Sequence, residues 1–157
     1  MIYRHVFVVR PVLETIRDEA RRARYRETGG PLVGYISEDR ALVVTHASGP
    51  GPRAQLRFSS VLIDGVHAQT FCDAVHRESQ GRLDYVGDWH RHPGWSLRPS
   101  DLDATAMRKI AAFEYCPVRN PISLIYRSLH EAFIVYTLNH EGELAVIPSS
   151  LMPTIVL

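Results

Sequence analysis

The stretch that constrains this chain most is His90-Arg91-His92-Pro93-Gly94-Trp95-Ser96-Leu97-Arg98-Pro99-Ser100-Asp101-Leu102-Asp103. Two histidines at i and i+2 on a strand project from one face, so both imidazoles can approach a single point. Pro93 has no N–H for a ladder and turns the chain outward, which suits a strand end facing a cleft. Ser100 and Asp103 have the spacing of a helix capping box, so the next helix begins there and mounts the Asp103 carboxylate in its first turn. The stretch reads as strand, loop and helix, bringing two nitrogens and one carboxylate together. Such a donor set leaves a fourth tetrahedral position for water, the arrangement of a catalytic rather than a structural zinc. No cysteine lies nearby, which argues against a closed thiolate site.

Each residue also has a plainer reading. An HxH dipeptide can arise by chance in a chain with eight histidines, and a capping box alone accounts for Ser100 and Asp103. The other histidines, His5, His46, His67, His76, His130 and His140, show no pairing at ligand spacing. A metal that lowers the pKa of water needs a general base within hydrogen-bond reach of that water. Glu27, placed at a helix end before Gly29-Gly30, is the candidate. In isolation it reads as a surface carboxylate, and sequence spacing does not bring it to the histidines.

The rest of the sequence supplies the frame. A length of 157 residues fits one domain, 1–157, large enough to fold without staples. Strand-like Tyr3–Val9 is followed by an amphipathic helix over Val12–Tyr25, with Val12, Ile16, Ala20 and Ala23 at helical spacing. Its arginines 17, 21, 22, 24 and 26 form a solvated face, and Gly29-Gly30-Pro31 stops it. Leu32–Ile36 and Ala41–His46 form a hairpin across Ser37–Arg40. Ser48–Arg53 is a loop, Gln55–Phe58 a short strand, and Ser60–Glu78 a helix with Leu62, Val66, Phe71 and Val75 inward. Leu83–Trp89 is a buried strand leading into His90, and Ser100–Phe113 the third helix. Ile122–Arg127, Ala132–Leu138 and Leu144–Ile147 close the domain, the last two joined by a turn at Asn139–Gly142. Strands with interposed helices indicate an α/β fold, a mixed sheet flanked by helices.

A net charge of +1 advertises neither nucleic acid nor an anionic membrane as partner. Two cysteines, Cys72 and Cys116, are too few for a disulfide framework and are expected as buried free thiols. With no signal-peptide pattern and no apolar run of bilayer length, a cytoplasmic protein is expected.

The run His90-x-His92-Pro93, six residues, Ser100-x-x-Asp103 resembles the JAMM motif of the MPN-type zinc metalloproteases. Upstream, Glu27-Thr28-Gly29-Gly30-Pro31-Leu32-Val33-Gly34 is similar to the glutamate element of the family's prokaryotic, JAB-type branch, and Tyr85–Trp89 to its usual strand. The resemblance implies a cytidine-deaminase-like α/β fold and one Zn²⁺ held by His90, His92 and Asp103. It implies Glu27 as the proton relay and Ser100 as hydrogen-bond donor to the tetrahedral oxyanion. It further implies cleavage after the C-terminal glycine of a ubiquitin-like or sulfur-carrier protein, with E1-like and E2-like proteins as associates. Trp95 either covers the substrate tail or anchors its loop in a half-buried position. A RadC-like DNA-associated role, a small-amide hydrolase and a non-catalytic MPN scaffold are the alternatives on the same fold.

Overall fold

Apolar spacing in the first helix decides where the core sits. The protein is described here by a computed structural model covering residues 3–154. Strand β1 (His5–Val9) leads straight into helix α1 (Arg10–Ala23), with a proline in its first turn, where the missing N–H costs nothing. Val12, Ile16, Ala20 and Ala23 are all buried, as their spacing predicts, and pack against one face of a large sheet. The helix stops two residues earlier than expected, because Arg24 leaves it with a positive φ of 57°.

The Gly-Gly-Pro segment does not terminate a helix. It lies inside strand β2 (Thr28–Ile36), hydrogen-bonded to β6 (Asp84–Arg91), with Gly29 opposite His90 and Gly30 opposite Trp89. Both glycines are required by close approach. A Cβ on Gly29 would stand 2.4 Å from the Trp89 carbonyl oxygen, and one on Gly30 would stand 2.0 Å from that of Ser48. β3 (Ala41–Ala47) completes the expected hairpin.

The next segment departs further from expectation. Gln55–Leu56 (β4) and Val61–Leu62 (β5) pair as a minimal separate hairpin, so helix α2 (Gly65–Glu78) starts five residues late. Asp64 is its N-cap, accepting from the His67 N–H. Its packed side is Cys72 and Val75 against Val33 and Leu83, while Leu62 and Val66 face solvent. Helix α3 (Asp101–Ala111) follows, and then β7 (Ile122–Arg127) and β8 (Ala132–Leu138) with the bounds read from sequence. A 3-10 turn, Leu129–Glu131, links the latter two.

β9 (Leu144–Ile147) is followed after one residue by a strand not anticipated, β10 (Ser149–Met152). The mixed sheet runs β10-β1-β3-β2-β6-β7-β8-β9, so β9 and β10 occupy opposite edges yet are consecutive in the chain. A single intervening residue spans roughly 7 Å from neighbour to neighbour. The sheet must therefore curl until its edges meet at Pro148, whose carbonyl accepts from the Val6 N–H at 2.9 Å. α1 packs on β1, β2 and β3 through the larger core cluster, whereas α2 packs on β2 and β6 through a separate one and shares a cavity with α3. Among the described residues, no helix is long and apolar enough to cross a membrane.

Candidate metal centre

Strand alternation divides β6 between two environments. Trp89 and Arg91 point to the α1 side, where the indole N–H donates to the Ser48 carbonyl at 2.8 Å. Asp88, His90 and, just past the strand end, His92 point the other way, towards α2 and α3. Ser100 caps α3 with both halves of the expected capping box: its hydroxyl accepts from the Asp103 N–H at 3.2 Å, and Asp103 Oδ2 accepts from the Ser100 N–H at 2.6 Å. The cap is also the mount, because it holds the Asp103 carboxylate at the helix start, facing the imidazoles.

His90 Nδ1 lies 3.1 Å from Asp103 Oδ1, and His92 Nε2 lies 3.1 Å from Asp103 Oδ2. Glu27, on the short connection between α1 and β2, brings Oε1 to 3.9 Å from His92 Nε2. One donor atom from each of Glu27, His90, His92 and Asp103 lies within 4.8 Å of all the others. Four side chains from three separate stretches thus converge, including the carboxylate whose place could not be read from spacing. Neighbouring ligands of a tetrahedral zinc with bonds of about 2.0–2.1 Å stand ~3.3 Å apart, close to the two histidine–aspartate separations. The group could hold a metal ion. The longer Glu27 contact suits a residue that reaches a fourth position rather than one that binds directly.

The electrostatics fit this arrangement. Burial on its own would raise Asp103, but hydrogen bonds from His90, His92 and Ser100 outweigh it and hold the carboxyl far below the usual range. It is therefore an anion at any physiological pH. Glu27 goes the opposite way: burial raises its pKa, and His92 and His90 oppose this only in part. Burial likewise pushes Asp88 up to about 6. Beside the cluster, Asp88 and Tyr85 line a cavity of about 440 Å³ between α2 and α3, rimmed by Phe113 and Tyr115.

With that geometry in place, the comparisons with known proteins are decisive on kinship. The sequence model for prokaryotic homologs of the JAB domain matches residues 9–136. The chain belongs to that family. Among curated relatives it is 32% identical over 113 residues to a protein of Enterobacter hormaechei named CD-NTase/cGAS isopeptidase, the match covering 72% of this chain and 62% of the relative. It is 31% identical to the probable metalloprotease y4qB of Sinorhizobium fredii, covering 76% and 74% of the two chains. The chain thus spans somewhat under two thirds of the first relative's length. Protein DSY2949 of Desulfitobacterium hafniense has a solution structure that superposes with a TM-score of 0.70 over 96% of this chain and 94% of its own, at 20% identity. That likeness confirms the fold.

Some features of this JAB domain escaped the sequence. Trp95 is not a half-buried anchor; it is 76% exposed, and its carbonyl accepts from Arg127. Cys72 and Cys116 are free, though Cys116 is half-buried. The β4–β5 hairpin touches the site: the Glu27 N–H donates to the Arg57 carbonyl at 2.6 Å. Arg91, the unspecified residue between the histidines, is 5% exposed and donates from Nη2 to the carbonyls of Ala20 (3.0 Å) and Arg24 (2.5 Å). Strand periodicity alone could have flagged it, since an arginine turned into a core must find carbonyls or carboxylates.

Proposed function

We propose that this chain is a zinc-dependent peptidase that cuts the isopeptide or peptide bond after the C-terminal glycine of a ubiquitin-like or sulfur-carrier protein, in the cytoplasm. The observation that carries the reading is the convergence of Glu27 with His90, His92 and Asp103 around one point. Two relatives bear the name isopeptidase and a third that of a probable metalloprotease, which supports hydrolysis of an amide within or between polypeptides. His90, His92 and Asp103 would hold a zinc ion, which would supply Lewis acidity to lower the pKa of water and polarise the scissile carbonyl.

The chain's own residues do the rest. Glu27, whose pKa burial raises, receives the proton of the attacking water and passes it to the leaving amine. The Ser100 hydroxyl donates to Asp103 Oδ2 at 2.7 Å. To serve the oxyanion it swings that hydrogen about the Cβ–Oγ bond, without moving the oxygen. Hydroxyl donors aimed at developing charge contribute about 3 kcal/mol to such steps. An extended tail would add as a strand beside the two-stranded β4–β5 hairpin, whose turn is joined to the Glu27 backbone. Tyr25, Phe58, Trp95 and Leu102 are all more than 65% exposed and lie within five residues of a site residue or of Arg57. They offer apolar footing for the folded part of a protein substrate.

Substitution of the site residues tests this. Purified Glu27→Gln should retain one zinc per chain and keep only a small residual rate of cleavage of a ubiquitin-like fusion, whereas His90→Ala should lose the metal. Cleavage by Glu27→Gln at the wild-type rate removes Glu27 from the mechanism. Zinc-loaded wild type inert to every ubiquitin-like or sulfur-carrier fusion removes the substrate class.

A further inference from the structure

We propose that Arg91 is a positioning residue for Glu27, locking the turn that carries the carboxylate to the strand that carries His90 and His92. The inference rests on the reading of Glu27 as proton carrier. Arg91 sits between the two histidines but takes no part in their cluster, because alternation along β6 turns its side chain to the α1 face. There it meets the C-terminal end of α1. The last carbonyls of a helix have no partner within it and carry the negative end of its dipole, so a buried cation is well placed among them.

Arg91 chooses its two carbonyls in a telling way. Ala20 is in the last turn of α1, and Arg24 is the residue that leaves the helix with φ of 57°. One guanidinium nitrogen therefore holds both the helix end and the exit from it. Only Tyr25 and Arg26 separate that anchor from Glu27, whose own N–H is held from the other side by the Arg57 carbonyl. Thr28, the next residue, faces Arg91 directly in the β2–β6 register. The chain bearing Glu27 is thus fixed at both ends by the strand that bears the imidazoles. The two hydrogens of Nη2 lie in the fixed guanidinium plane and serve the two carbonyls at once, whereas an ammonium on a flexible stem orients its hydrogens less well. Arg91 and Glu27 also attract each other across this turn.

The test uses the full chain, with Arg91→Met and Arg91→Lys made alone and combined with Glu27→Gln. Zinc content, kcat and KM are read on a ubiquitin-like fusion, and amide hydrogen exchange on the metal-free protein. Arg91→Met should keep one zinc per chain and hold KM while kcat falls about 10–100-fold, the penalty for a catalytic group displaced by around 1 Å. In the Glu27→Gln background the same change should cost less than about two-fold of the residual rate, because residues acting through one another are not additive. Arg91→Lys should fall between, and carries the comparison by itself if Arg91→Met does not fold. Amides of residues 24–28 should exchange faster in Arg91→Met while those of 86–89 stay protected. Equal fractional losses in both backgrounds, a loss explained by missing zinc, or an unchanged kcat overturns the proposal. Full activity in Glu27→Gln alone instead defeats the general-base reading on which it stands.

Discussion

Replacing Gly29 by alanine should damage the metal centre through the backbone, without touching a single site side chain. The added Cβ would meet the Trp89 carbonyl oxygen at 2.4 Å and His90 Cδ2 at 2.8 Å, where ordinary contact begins near 3.4 Å. Relief therefore needs about 1 Å of movement at the carbonyl and about 0.6 Å at the imidazole. β2 pairs with β3 only from Leu32 onward, so Gly29 faces β6 alone, while β7 holds His90 from its other side; the strain is therefore shared between the start of β2 and the segment bearing His90. Overpacking of this kind costs about 1–3 kcal/mol. For a domain of this size that lowers the melting temperature by several degrees, at roughly 2–4 °C per kcal/mol. A ligand displaced by part of an ångström should weaken zinc binding, and cleavage should fall about 100-fold. The assay is a zinc titration and a fusion-cleavage time course, with Gly65→Ala as control. Gly65 opens α2 with no atom within 4 Å of its would-be Cβ, so alanine there should be neutral or stabilising by up to about 1 kcal/mol. Wild-type zinc affinity and turnover in Gly29→Ala would refute the close-approach argument.

Two further perturbations follow from the same geometry. Ser100→Ala removes the N-cap of α3 and should cost about 1 kcal/mol of stability, read by denaturant melts. It should also lower kcat by about 100-fold or more with zinc retained, and loss of stability alone would deny Ser100 the oxyanion role. Asp88→Asn should stabilise the metal-free protein above neutral pH. The folded pKa of about 6 lies above the unfolded value, so the charged carboxylate costs stability at high pH and that cost disappears as pH falls from about 6 to about 4. The melting temperature of Asp88→Asn should thus exceed that of wild type at pH 8 and converge with it near pH 4. A constant difference across that range would contradict the burial of the charge.

Local pattern carried much of this fold. Val12, Ile16, Ala20 and Ala23 specified the buried side of α1 because a helix needs only its own periodicity to declare a face. β7 and β8 were legible for the same reason, as continuous apolar runs bounded by turn residues. The start of α2 was not, because apolar Val61 and Leu62 continue the helical pattern upstream while Asp64 caps the helix after them. β10 escaped because Ser149-Ser150 has no strand-like apolarity, and its place depends on a distant partner, β1. Gly29-Gly30-Pro31 resembled a terminator because glycines that permit close packing look the same in sequence as glycines that break a helix. Within the site, His90, His92, Ser100 and Asp103 were legible because one strand–loop–helix unit holds them all. Glu27 was legible as a candidate base but not as a neighbour of the histidines, since its place depends on the pairing of β2 with β6; Arg91 was legible as an inward-facing residue, but its carbonyl partners, some seventy residues away, were not.

Crystals grown with zinc and measured at the zinc absorption edge would locate the ion without reference to activity. The account predicts one anomalous peak per chain, bonded to His90, His92 and Asp103 at about 2.0–2.1 Å, with Glu27 beside the remaining position but not bound. A peak held elsewhere, or none at this cluster in zinc-saturated crystals, would contradict it.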